Sequence, residues 1–154
     1  MRQPNLPAGG SCRCFATTFE ILVTPLITLA CHCLDCQRMS ASAFSLTAII
    51  PADGFRVVEG MPVARPLPGS PRHHYFCPSC MTWMYTKIGG ADARVNVRPT
   101  LCYDSSWVEP FAETMTRDKL TWAETPAVHT YEAFPSPAEF EELLAKFSDW
   151  SAFG

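Results

Sequence analysis

The sequence predicts a mainly β domain closed by one C-terminal helix. Three observations carry that prediction. Short runs rich in β-branched and aromatic residues recur between residues 16 and 97, separated by Pro- and Gly-rich turns. Many short strands with such turns are the pattern of an all-β or β-rich architecture. Helical periodicity is strong in one place, the C-terminal end, where Ser136, Pro137 and Glu139 form a capping box with proline at the first helical position.

A chain of 154 residues fits one domain with its own core. Residues 1–10 hold two prolines, two glycines and no apolar run, so they read as a flexible lead-in and not as a signal peptide. The domain proper is expected over 11–135, with the helix of 136–154 packed on it. Residues 16–23 read as a strand, ended by Thr24-Pro25. Residues 26–30 read as a second strand, running into Cys31-His32-Cys33-Leu34-Asp35-Cys36 and placing that motif at the mouth of a hairpin. Residues 43–50 give a third strand and 51–54 a turn. Residues 55–59 follow as a short strand. Residues 60–72 contain four prolines and two glycines, which makes them loop.

Strands at 73–76 and 82–88 enter and leave Cys77-Pro78-Ser79-Cys80, the shape of a zinc knuckle. Residues 93–97 and 120–123 are further strand-like pieces. Between these two, Val108-Glu109-Pro110 argues against a long helix, because proline disfavours helical backbone in the residue before it. In the final helix, Phe140, Leu143, Leu144 and Phe147 stand at i, i+3, i+4 and i+7, one apolar stripe for core packing.

Composition narrows the function classes. The net charge is −3 and the twelve Lys and Arg residues are scattered, so the positive footprint of a nucleic-acid partner is absent. The most apolar stretch, residues 21–30, is too short to cross a bilayer and is broken by Pro25. Eight cysteines occur, and their Cys-x-Cys and Cys-x-x-Cys spacings suit metal chelation better than structural disulfides. A reducing cytoplasm, where thiolates stay available to metal, is the expected compartment.

Two pairs, Cys12/Cys14 and Cys77/Cys80, supply four ligands and suit one closed zinc site. The triplet Cys31, Cys33 and Cys36 supplies three. Its fourth position is open to His32, to a distant His73, His74 or Cys102, or to water or substrate. Three protein ligands and a vacancy are the form of a catalytic zinc site. Three thiolates on zinc leave a negative centre. Bound water is then a poor acid, and a soft exogenous thiol is the better fourth ligand. A nearby cation would help hold that thiol as thiolate. Arg38, two residues past Cys36, is the local candidate, with an exposed surface arginine as the plainer reading. Cys102 has no local partner and reads as a small buried hydrophobe.

These motifs resemble a known family. Gly10-Ser11-Cys12-Arg13-Cys14, Cys31-His32-Cys33-Leu34-Asp35-Cys36-Gln37-Arg38 and Phe76-Cys77-Pro78-Ser79-Cys80, in this order, are similar to the glutathione-dependent formaldehyde-activating enzymes, the GFA or CENP-V family. A weaker likeness extends through Asp104, Pro110 and Trp122. The resemblance implies a β-tent fold of small antiparallel sheets around zinc sites. It implies two zinc ions per chain: a structural one on Cys12, Cys14, Cys77 and Cys80, and a catalytic one on Cys31, Cys33 and Cys36. It also implies a carbon–sulfur lyase that joins formaldehyde to glutathione, giving S-hydroxymethylglutathione. The chain departs from the family at three positions that usually hold glycine and here hold Phe15, Ala41 and Met81. Glycine at such places permits φ > 0 or a close backbone approach. Arg72, His73 and His74 are candidates for the glutathione carboxylates. Two other classes compete. One is a zinc-stabilised binding or chaperone-like module. The other is a redox enzyme like the methionine sulfoxide reductases, which needs a separate activated cysteine that Cys102 alone could provide.

Overall fold

A computed structural model describes residues 2–65, 67–89 and 93–153. In chain order the strands are β1 (Ala8–Ser11), β2 (Thr18–Ile21), β3 (Ile27–Cys31), β4 (Ser45–Pro51), β5 (Phe55–Glu59), β6 (Val63–Ala64), β7 (Arg72–Phe76), β8 (Trp83–Ile88), β9 (Arg94–Val97), β10 (Ala112–Thr114) and β11 (His129–Thr130). Helix α1 (Leu34–Ser40) lies between β3 and β4, and α2 (Pro137–Ala152) closes the chain. β1, β2 and β5 form a three-stranded antiparallel sheet. The remaining strands form one larger sheet in the order β11-β10-β3-β4-β9-β8-β7-β6. No helix among the described residues is long and apolar enough to cross a membrane.

Strand alternation explains how the layers stack. In β4, Ala48 and Ile50 face one way and Ile49 the other. Ala48 and Ile50 join Phe19, Ile21, Phe55, Met84, Tyr85, Val95 and Val97 in a core between the two sheets. Ile49 joins Ile27, Leu29, Phe111, Phe140, Leu143 and Phe147 in a second core, between the large sheet and α2. β4 is therefore buried on both faces, which is why it reads as a nearly continuous apolar run. The stripe expected on α2 is the one that packs: Phe140, Leu143 and Phe147 are buried and Leu144 partly so. Its capping box is formed, with the Ser136 N–H donating to Glu139 Oε2 at 2.8 Å and the Glu139 N–H to Ser136 Oγ at 3.4 Å.

Five local expectations change. Within the Pro-rich stretch expected as loop, Val63 and Ala64 form β6 and pair with β7, because neither residue is a proline and both can join the ladder. Residues 8–10 belong to β1 and pair with β2, so the lead-in is shorter than its composition suggests. The motif expected at the mouth of a hairpin does join β3 to β4, but it runs into helix α1 with Cys33 as its N-cap. Residues 120–123 form a turn, while the strand in this region is β10, all three of whose residues are buried. β10 runs parallel to both β3 and β11, so the large sheet is mixed. A parallel neighbour requires a long crossover and leaves no mark on local sequence.

Candidate metal centres

Two groups of cysteines converge. Cys12 and Cys14 follow β1. Cys77 and Cys80 occupy the turn from β7 to β8. The two turns are built alike. The Cys12 N–H donates to Thr17 O at 3.0 Å and the Cys77 N–H to Thr82 O at 3.1 Å. The Phe15 N–H returns to Cys12 O at 3.1 Å and the Met81 N–H to Cys77 O at 2.9 Å. Each closing residue sits in the left-handed region, Phe15 at φ 64° and Met81 at φ 58°. These are two of the positions where glycine was expected; the backbone keeps the glycine conformation without the glycine.

The four sulfurs lie within 4.8 Å of one another, with Cys12 to Cys14 at 3.6 Å and Cys14 to Cys77 at 3.8 Å. Tetrahedral zinc with Zn–S bonds of about 2.3 Å places its sulfurs about 3.8 Å apart. The donor set therefore fits zinc. The Thr82 hydroxyl lies 3.1 Å from Cys80 Sγ and holds that thiol down at about 5, and the Thr17 N–H donates to Cys12 Sγ at 3.3 Å.

The triplet is assembled at the end of β3. Cys31 is the last residue of that strand, Cys33 is the N-cap of α1, and Cys36 lies in its first turn. The Cys36 N–H donates to Cys33 Sγ at 3.4 Å, so the cap itself orients one ligand. The three sulfurs lie within 4.8 Å of one another, and among the described residues the group holds these three alone. Hydrogen bonds from Cys33 and Cys36 pull Cys31 down to about 2, and the same contacts push Cys36 up. Three thiols this close share protons that a divalent cation would displace. Ala41, the third of the glycine positions, is the left-handed C-cap of α1 at φ 49°.

The candidates for a fourth ligand lie elsewhere. His32 is fully buried, and its Nε2 lies 3.0 Å from Glu113 Oε2. His74 Nδ1 meets Thr86 Oγ1 at 2.8 Å; burial first, then the positive charge of Arg98, holds this imidazole below its ordinary value. Cys102 is buried and joins neither group, and burial pushes its thiol up to about 12, the opposite of activation.

The structure adds residues that spacing did not reveal. Glu113, on β10, accepts from His32, from Lys119 Nζ at 2.8 and 3.0 Å, from Thr125 Oγ1 at 3.0 Å and from Thr130 Oγ1 at 3.1 Å. Gln37 Nε2 donates to His32 O at 2.8 Å and to Asp118 O at 2.9 Å. Together these clamp the triplet loop to the strand beside it. No local signal marks Glu113, which lies 81 residues from His32.

The two arginines differ in environment. Arg38 is exposed, lies 4.0 Å from Asp35, and lines an open groove of about 500 Å³ with Gln37, Ser42, Leu120 and Trp122. Arg98, the residue after β9, is buried with its guanidinium carbon 4.2 Å from the Trp83 ring centroid.

Comparison with known proteins agrees with this geometry. The sequence profile of the family described as "Glutathione-dependent formaldehyde-activating enzyme" matches residues 7–118. No curated protein matches the chain. Among solved structures, a crystal structure of a Rhodobacter sphaeroides protein, a structural-genomics target, superposes with a TM-score of 0.51 at 20% identity. That match covers 60% of this chain and 85% of the other, and it supports the fold. The family profile spans well over half the sequence and includes every cysteine of both clusters, so the chain belongs to the glutathione-dependent formaldehyde-activating enzyme family.

Proposed function

We propose that the protein is a zinc-dependent carbon–sulfur lyase that joins glutathione to formaldehyde, giving S-hydroxymethylglutathione. The observation that carries the reading is the triplet: three convergent thiols, fixed by a strand end and a helix cap, with no fourth ligand among the described residues. Family membership supplies the substrates.

Cys31, Cys33 and Cys36 would hold one zinc ion, and Cys12, Cys14, Cys77 and Cys80 a second, structural one. Zinc at the triplet would lower the pKa of an incoming thiol, supplying a nucleophile near neutral pH. The chain's own residues then do three things. The β3 end and the Cys33 cap hold the ligand sulfurs in place. The His32–Glu113 contact keeps the loop from relaxing when a substrate enters. The groove along α1, with Gln37, Arg38 and Trp122, accommodates the rest of the thiol, and Arg38 offers a guanidinium to one of its carboxylates. In the balanced reaction the sulfur adds to the aldehyde carbon, the C=O π bond opens, and the thiol proton ends on the oxygen. A cytoplasmic location with abundant reduced thiol suits this chemistry.

Metal stoichiometry with and without Cys33→Ser, followed by glutathione titration, tests the proposal. The expected result is about two zinc per chain, falling to about one in the variant, and glutathione binding that is lost with the second zinc. One zinc in the unmutated protein, with the triplet thiols freely alkylated, would end the two-site reading. Two zincs with no thiol binding and no acceleration of adduct formation would leave a zinc-stabilised binding module.

A further inference from the structure

Beyond the edge of α2, the outer face of the large sheet turns polar beside the triplet. Ser45 pairs with Cys31 and shares its face, as does Thr47. Asn96 pairs with Ile49 and lies on that face too, as does Arg98 two residues on, whose N–H continues the ladder to Met84 O at 3.0 Å. Arg98 is thus about two strands across and two residues along from Cys31, within reach of an extended arginine side chain.

Three of the five buried side-chain N or O atoms without a hydrogen-bond partner among the described residues lie here: Ser45 Oγ, Asn96 Oδ1 and Arg98 Nε. Arg98 is 8% exposed, and one of its Nη atoms donates to Asn96 O at 3.2 Å. Among the described residues, no carboxylate oxygen lies within 4.0 Å of its nitrogens. A buried guanidinium stays charged and is costly without an anion nearby. Burial lowers Arg98 to about 10, and the charges that oppose this come from Cys36 and then Cys31.

We propose that Arg98 is the counter-charge of the triplet centre. Three thiolates and a divalent cation sum to −1, and the guanidinium brings the site to zero. An incoming thiolate then meets a neutral centre instead of an anionic one. The assignment rests on reading the triplet as a thiol-accepting zinc site. It gives Arg98 a role distinct from that of Arg38: Arg38 lines the groove that would take the body of the substrate, while Arg98 lies on the sheet face that Cys31 shares. Trp83 shields the guanidinium from solvent, which keeps the interaction strong.

The test uses the two-zinc protein with Arg98→Met and Arg98→Lys. One readout is zinc release to an excess of a chromophoric chelator, in which the triplet and structural ions leave in separate phases identified with Cys33→Ser. The other is binding of glutathione and of uncharged 2-mercaptoethanol to cobalt-substituted protein, followed by the sulfur-to-cobalt absorption band. Arg98→Met is expected to speed the triplet phase and weaken both thiols by about tenfold or more, leaving the structural phase unchanged. Arg98→Lys is expected to recover most of the loss. Unchanged triplet release and thiol binding in Arg98→Met would overturn the proposal. So would a loss confined to glutathione, which would make Arg98 a carboxylate-binding residue. If the unmutated protein binds neither thiol, the functional reading fails while the zinc-release comparison still decides the role of Arg98. Should Arg98→Met not fold, Arg98→Gln carries the same two readouts.

Discussion

Replacing Phe15 and Met81 by glycine is expected to make the zinc-loaded protein more stable. Both residues close a turn that carries two of the four clustered cysteines, in the left-handed region at φ 64° and 58°. The Cβ of an L-residue there costs about 1–2 kcal/mol. Glycine removes that cost but adds about 0.5–1 kcal/mol of chain entropy on folding. The net gain is about 0.5–1 kcal/mol per site. Little packing is lost in exchange, because Phe15 is 66% and Met81 56% exposed. The double variant should therefore gain about 1–2 kcal/mol, which for a chain of this size corresponds to a rise in Tm of about 2–8 °C. Thermal unfolding followed by circular dichroism at fixed free zinc is the assay. The strain exists only when the turn is formed, so the same gain should appear as tighter binding of the structural zinc in a chelator competition. A double variant that melts at or below the parent temperature would refute the reasoning, because it would show that the side chains contribute more than their backbone conformation costs.

Further outcomes are expected. Glu113→Gln should flatten the acid limb of the stability curve. Burial pushes the Glu113 carboxyl up, but donation from Lys119, Thr125 and His32 outweighs this and holds it below its ordinary 4.5. A carboxyl depressed in the folded state adds stability that is present above the unfolded value and lost as pH falls through the folded one. Urea unfolding at pH 7 and below pH 4 measures it, and parallel pH profiles for variant and parent would contradict it. Cys77→Ser should lose the zinc proposed for the four-cysteine group and unfold at lower temperature, since an ion there would tie the β1–β2 segment to the β7–β8 turn; zinc analysis with calorimetry reads both. Gly10→Ala should destabilise by about 1–3 kcal/mol, because the added Cβ meets the Phe19 ring and lies 2.7 Å from Leu101 O; chemical denaturation checks it. Cys102 should resist alkylation in the folded zinc protein at pH 8, where its thiol stays protonated; rapid labelling seen by mass spectrometry would reopen a redox role.

The sequence by itself determined the features that depend on near neighbours in the chain. The capping box and apolar stripe placed α2, because the periodicity of a helix is written within one or two turns. The cysteine spacings separated a four-ligand group from a three-ligand group, and the sulfurs converge in those two groups. Here the ligand pairs are local even though the sites are not. The strands on either side of Cys77–Cys80 were legible for the same reason, whereas the strand at Val63–Ala64 was hidden by the prolines around it and is made by pairing with β7. The family resemblance, and not the residues themselves, marked Phe15, Ala41 and Met81 as places where glycine is usual, and all three are left-handed although glycine is absent from each.

Tertiary structure decided what surrounds those ligands. Glu113 reaches His32 because β10 lies parallel to β3, a pairing with no local sequence period. His32, flanked by two ligands in sequence, is turned away by that contact. The same physics separates the two arginines. Arg38 is near Cys36 along the chain, yet its position on a short exposed helix leaves it in solvent. Arg98 is 62 positions from Cys36, yet the pairing of β3 with β4 and of β4 with β9 carries it to the polar face beside the triplet. Spacing along a chain fixes which atoms can share a metal. The electrostatic environment of that metal is fixed by strand pairing, because burial and charge act through space and take no account of sequence distance.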